Sequence, residues 1–140
     1  MRNRWTMAVV LVFFALAPPV AFADDISDAD RILCSSVEAT VCIFDGGCEI
    51  GAPWSWGIPQ FIEIDLQTKR LSTTAASGES RSTPVTSLKL EDGLIFLQGV
   101  ENGRAFSFVI NQETGVLSAA VAREEVTVSV FGACTPVSGK

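Results

Sequence analysis

Residues 90–111 read LEDGLIFLQGVENGRAFSFVIN. Two dipeptides in this stretch, Asp92-Gly93 and Asn102-Gly103, have the composition that tight hairpin turns need, because both central residues of such a turn take positive φ. Leu94-Ile95-Phe96-Leu97 lies between them, and the apolar run 104–111 follows the second. The stretch therefore reads as strands joined by two-residue turns. The same grammar extends outward along the chain. Short apolar or alternating runs at 40–44, 48–52, 60–66, 70–75, 83–90, 116–123 and 126–131 are separated by Asp45-Gly46-Gly47, Gln67-Thr68-Lys69, Ser77-Gly78-Glu79, Thr114-Gly115 and Glu124-Glu125. Turn signals spaced roughly 8–12 residues apart are the mark of an antiparallel sandwich or barrel.

Several runs show which face is dry. Ile62, Ile64 and Leu66 alternate with Glu63 and Asp65, and Val126, Val128 and Val130 alternate with Thr127 and Ser129. One wet and one dry face fit an antiparallel sheet. The run 94–97 is apolar on both faces, which places it centrally with a cover on its outer side. Residues 27–37 supply a candidate cover. Ser27 can cap a helix, Asp28 and Asp30 suit its first turn, and Ile26, Ala29, Leu33 and Val37 recur near helical spacing. The expected fold is mainly β: an antiparallel meander forming a strongly curved sheet or small up-and-down barrel, with one short N-terminal helix packed on it.

Residues 1–23 have the anatomy of a secretory signal peptide. Arg2 and Arg4 precede an apolar run over 7–17, then Pro18, Pro19 and the small-x-small triplet Ala21-Phe22-Ala23. The run is too short, and too interrupted by proline, to read as a membrane anchor. Cleavage after Ala23 leaves residues 24–140 as a single domain. Loss of the two arginines takes the basic count from 10 to 8 against 16 acids, a net charge of −8. Such a chain repels nucleic acid and anionic lipid, so neither nucleic acid nor, after cleavage, membrane is expected as a partner.

Cys34, Cys42, Cys48 and Cys134 are an even set in an exported chain and read as two disulfides. Of the three pairings, Cys42–Cys48 flanks the Asp45-Gly46-Gly47 turn, which leaves Cys34–Cys134 to tie the ends together. A four-thiolate metal site fits poorly, with no C-x-x-C pair and no histidine. Asp24, Asp25, Asp28 and Asp30 lack the glycine and distal glutamate of a calcium loop. No metal and no cofactor is expected.

The segments Leu33-Cys34, Cys42, Asp45-Gly46-Gly47-Cys48, 59–65, 97–104 and the ending Val130-Phe131-Gly132-Ala133-Cys134-Thr135 together resemble an uncharacterised family of small exported proteobacterial proteins. The resemblance spans nearly all of residues 24–140. It implies the bacterial periplasm as compartment and supplies no catalytic residue. A looser likeness, of fold class alone, is to periplasmic lysozyme-inhibitor barrels and lipocalin-like barrels.

Catalytic chemistry is hard to assemble from this composition. The chain has no histidine and no tyrosine, so nucleophile–histidine arrangements and phenolic acid–base catalysis are excluded. No phosphate-cradling glycine motif occurs. Glu63/Asp65 and Glu124/Glu125 are the nearest carboxylate pairs, one on a wet strand face and one in a turn, as solvated surface groups are. The chain is not expected to be an enzyme.

Two functional readings remain. The first is a non-enzymatic periplasmic binding module for a small apolar ligand or partner, motivated by Phe61, Phe96, Phe106, Phe108 and Phe131 in a shell of strands. The plainer account of those rings is core filling. The second is an envelope interaction or inhibitor protein, lysozyme-inhibitor-like, acting through Trp54 and Trp56, with the negative charge favouring a basic partner. Pro53 and Pro59 would hold that loop extended, so that both indoles face one way as a plug or a contact surface. Arg104, after the Asn102-Gly103 turn, is a candidate ion-pair partner for Glu101 or for a ligand carboxylate. A ligand-sized cavity favours the first reading; a solid core with a projecting aromatic loop favours the second.

Overall fold

The computed structural model describes residues 24–77 and 80–138. The expected signal peptide, 1–23, lies outside them. Among the described residues ten strands form one antiparallel sheet: β1 Arg31–Ile43, β2 Gly47–Gly51, β3 Phe61–Asp65, β4 Arg70–Thr73, β5 Ser82–Pro84, β6 Ser87–Glu91, β7 Leu94–Glu101, β8 Arg104–Asn111, β9 Val116–Arg123 and β10 Val126–Pro136. The main order is β5-β4-β3-β1-β10-β9-β8-β7-β6, with β2 paired to β1 off this path. The sheet is a curled half-barrel, as its alternating strands and close-set turns lead one to expect.

The hairpin signals operate as chemistry dictates. Asp92 and Gly93 sit at φ 51° and 74°, and Asn102 and Gly103 at 48° and 74°. These turns fix register, so that Leu97 faces Phe108 and Glu101 faces Arg104.

The two edge strands, β5 and β6, are consecutive in the chain, and the segment between them spans the seam. The Val85 N–H donates to the Lys69 carbonyl on one edge, 2.9 Å away, and the Thr86 N–H donates to the Gln98 carbonyl on the other, also 2.9 Å. Pro84, which has no N–H to offer a ladder, stands at this switch. Gly99 of β7 makes the approach possible, since a Cβ there would lie 2.3 Å from Phe106 Cζ and 3.1 Å from the Pro84 carbonyl oxygen. The half-barrel's two edges are thus brought together by one segment, Val85-Thr86, which bonds to both sides.

Strand β1 holds the architecture together. Along its whole length it pairs with β10, while its first part pairs with β3 and its last with β2. A register shift between Ser36 and Glu38 separates the two parts. There Gly132 of β10 meets the Ser35 carbonyl so closely that a Cβ would come within 2.1 Å of the oxygen. Both expected disulfides are formed: Cys34–Cys134 joins β1 to β10, and Cys42–Cys48 joins β1 to β2 across the glycine turn.

The expected helix over 27–37 is not formed; residues 31–43 are strand β1. Ile26, Ala29, Leu33 and Val37 do fall near helical spacing, but Ile32, Cys34 and Ser36 carry a competing period of two, and all three are buried. The second pattern prevails because it lets β1 pair with β3 and β10 together, and tertiary pairing outweighs weak local propensity. Ser27 is no cap either. Its N–H and Oγ both donate to Asp25 Oδ1, at 2.9 and 2.6 Å. Residues 24–30 instead seal one end of the barrel. Ile26, 1 % exposed, is part of the core, and its N–H donates to the Gln112 carbonyl. No helix covers β7. The outer side of Phe96 is flanked in register by Lys89 and Val109.

Candidate functional site

The inward residues of the barrel change in kind from one end to the other. At the sealed end Ile32, Ile64, Ile95, Leu97, Ile110 and Leu117 interlock under Ile26. One step further along the strands the inward positions become small: Ala39 on β1, Gly99 on β7 and Ala119 on β9. Beyond them stand valines, Val41, Val121, Val126 and Val128, whose short side chains do not reach across. The result is a cavity of about 460 Å³, within the usual size range of small-molecule sites.

Its wall is mostly apolar. Phe106 lies edge-on to the buried Phe108, with ring centroids 5.7 Å apart and planes at 62°. Trp56 closes the side between β2 and β3, its ring lying so near Gly51 that a Cβ there would come within 3.0 Å of it. The Cys34 side chain reaches the floor. Ser36, buried, also lines it, but its Oγ donates to the Pro59 carbonyl at 2.9 Å and is thereby satisfied.

The mouth is polar. It opens where β1, β7 and β9 end and β8 and β10 begin, and Arg81, Thr83, Glu101, Arg104 and Arg123 line it. Thr83 Oγ1 donates to Glu101 Oε1 at 2.5 Å, a bond across the seam between β5 and β7. Arg104 Nη2 stands 3.9 Å from the other Glu101 oxygen. Glu101 is the one carboxylate among the described lining residues.

The sequence-predicted site residues divide. Trp56 and Arg104 both line the cavity. Trp54 does not: it is 59 % exposed. The tryptophan segment is not extended, as expected from its prolines, but forms a 3-10 turn, Pro53–Trp56, with Pro53 at its start and Gly57 in the left-handed conformation at its end. With three residues per turn, positions i and i+2 lie about 240° apart, so the two indoles point different ways. A proline suits the first turn of a helix as well as it suits extended chain.

Of the five phenylalanines singled out, Phe108 is core and Phe106 lines the cavity, whereas Phe131 is 55 % exposed. Glu101 was foreseen as a partner of Arg104, and the Asn102-Gly103 turn does place the two in register. Arg81 and Arg123 were not singled out as part of the site.

The carboxylate pairs are surface groups. Glu63 pairs with Arg31, and Asp65 accepts the Thr68 N–H at 2.8 Å. That hydrogen bond, first among several causes, holds the Asp65 carboxyl below the ordinary aspartate range. In the N-terminal acidic stretch Asp24 accepts from Thr135 and Asp30 from Gln67. Among the described residues no group of three or more cysteine, aspartate or glutamate side chains is placed to hold a metal ion.

Comparison of the chain with protein-family models, with curated proteins and with solved structures returned no match. The two disulfides point to an oxidising, non-cytoplasmic location. Among the described residues, no helix is long and apolar enough to cross a membrane.

Proposed function

We propose that the chain is a non-enzymatic binding module of the bacterial periplasm that holds a small apolar ligand in the open end of its barrel. The observation that carries this reading is the cavity: about 460 Å³, walled by valines, Phe106 and Trp56. Core filling by phenylalanine, the plainer account of the aromatic content, describes Phe108 but leaves this space empty. Holding rather than transforming is supported by the lining chemistry. It offers a single carboxylate, already engaged by Thr83, and no acid–base pair of the kind hydrolysis needs. The resemblance to exported proteobacterial proteins supports the compartment, as does the expected signal peptide.

Native mass spectrometry of the protein purified from its own periplasm tests this. A retained small mass that leaves on unfolding is expected. A bare chain that also fails to take up any apolar fluorophore would overturn the reading.

A second reading, a protein–protein contact, is favoured by one specific feature. Phe44, Ile50 and Trp54, at 72 %, 71 % and 59 % exposure, lie on and just after the β1–β2 hairpin. Exposed aromatic groups are common interface anchors. Only Trp54 of the tryptophan pair is available for that role, because Trp56 is built into the cavity wall.

A further inference from the structure

We propose that the ligand is a single-chain amphiphile with an anionic head, its apolar tail in the cavity and its head held by Arg104 and Arg123 at the mouth; this rests on the cavity reading above. Among the described residues, Arg104 and Arg123 line the mouth with Glu101 as the one carboxylate, in a chain that carries 16 acids and 10 bases. The local charge is opposite in sign to that of the protein, which is how a site selects an anion on an otherwise repelling molecule.

The register sharpens the point. The β8–β9 ladder ends on the pair Ala105 and Ala122, and Arg104 and Arg123 are the next residue beyond it on each strand. Both line the cavity. Like charges directly opposed across two strands destabilise a sheet. Arg104 is relieved in part by Glu101, but only at 3.9 Å. Arg123 makes no side-chain hydrogen bond or ion pair among the described residues. Glu124 and Glu125 follow it in the β9–β10 turn without lining the cavity or pairing with it. A carboxylate or phosphate between the two guanidinium groups would relieve the repulsion and accept charge-assisted hydrogen bonds from both. The lining runs along β9 from Leu117 to Arg123, roughly 20 Å of strand at about 3.3 Å per residue. A head at Arg123 therefore directs its tail down an apolar path toward Leu117.

The test is calorimetric titration of residues 24–140, stripped of bound lipid by a hydrophobic resin, below the micelle concentrations of the probes. Dodecanoate, dodecyl phosphate, dodecanol and dodecyltrimethylammonium share a tail and differ in head. At least one of the two anions should bind about tenfold or more tighter than dodecanol. The tighter anion assigns the head as carboxylate or phosphate. Arg104→Gln with Arg123→Gln should abolish that preference, bringing the anions to the level of dodecanol, with an unchanged far-ultraviolet circular dichroism spectrum showing that the variant is folded. Equal affinity for the anions and dodecanol, or preference for the cation, would overturn the anionic head while leaving an apolar site. Failure of every probe to bind would count instead against the cavity as a site.

Discussion

At one end of the barrel Ile26 closes over a layer of isoleucines and leucines; at the other the same strands enclose empty space behind a ring of arginines. The backbone does not account for the difference, since β7 to β10 run through both ends with unbroken pairing. The difference lies in side-chain length at the inward positions. Along β7 the inward series is Ile95, Leu97, Gly99, Glu101, and along β9 it is Leu117, Ala119, Val121, Arg123. Each begins in aliphatic bulk, passes through a small residue and ends in charge. Protein interiors are close-packed, so a deliberate shortfall of volume at one end, with polar groups at its opening, is better suited to a ligand than to stability.

The disulfides divide between the same two regions and should differ most. Cys34–Cys134 spans a sequence separation of 100 and lies in the floor between filled and hollow parts; Cys42–Cys48 spans 6 and lies in the rim hairpin. On the chain-entropy argument the long bridge contributes about 4–5 kcal/mol and the short one roughly half as much. Replacing Cys34 and Cys134 by serine should therefore lower the urea midpoint of residues 24–140 far more than replacing Cys42 and Cys48. Equal losses would mean that the rim hairpin is as integral to folding as the floor.

Truncation of aliphatic side chains probes the packing contrast directly. Ile110→Ala, at the filled end where the side chain is fully buried, should cost about 2–5 kcal/mol. Val128→Ala, facing the cavity, should cost about 1 kcal/mol or less, because that side chain already lacks neighbours on one side. Denaturant unfolding of both variants checks this. A Val128→Ala loss as large as that of Ile110→Ala would show the cavity to be filled in solution.

Most of the fold was legible because it rests on local chemistry. The Asp-Gly and Asn-Gly turns, the alternation of Ile62, Ile64 and Leu66, and the cysteines around a glycine turn need no long-range information. What was not legible depends on pairing between distant residues. Nothing local to 27–37 says that Ile32, Cys34 and Ser36 outrank Ala29, Leu33 and Val37; that is decided by β10, about a hundred residues away. Pro53 and Pro59 suit extended chain and a 3-10 turn alike, so the divergence of the tryptophans was not visible. Of the site, Trp56 and Arg104 were named from the sequence. Arg81 and Arg123 were not, since their convergence requires the curl that brings β4–β5 round to β8–β9.

The tryptophans offer a smaller contrast with a spectroscopic readout. With 1–23 removed and no tyrosine in the chain, emission comes from Trp54 and Trp56 alone. Two components are expected, a quenchable red-shifted one from Trp54 and a protected one from Trp56. Trp54→Ala should remove the first and change stability by no more than about 0.5 kcal/mol. Trp56→Ala should remove the second and cost about 2 kcal/mol, less than a fully enclosed indole, since one face borders the cavity. Equal acrylamide quenching of the two single-tryptophan variants would mean that the 3-10 turn does not hold them apart.

The smallest effect belongs to the turn after β3, at the filled end. Asp65 accepts the Thr68 N–H and its carboxyl is held below the ordinary range chiefly by that bond, with burial opposing. A carboxyl whose folded value is depressed contributes stability that is present above its unfolded value and is lost as pH falls through the folded one. The window therefore opens near pH 4 and extends downward. Asparagine at 65 keeps an acceptor for Thr68 but does not titrate. Asp65→Asn should thus be slightly less stable than the parent at pH 7, and the gap in urea midpoint should shrink as pH falls below about 4. Because Asp65 is solvated, the gap should be small at every pH and smaller still in high salt. If the two proteins keep a constant gap from pH 7 to below pH 3, the Thr68 bond does not distinguish the charged from the neutral side chain. The low value of Asp65 would then have to come from Arg31, whose charge lies on the neighbouring strand opposite Asp65.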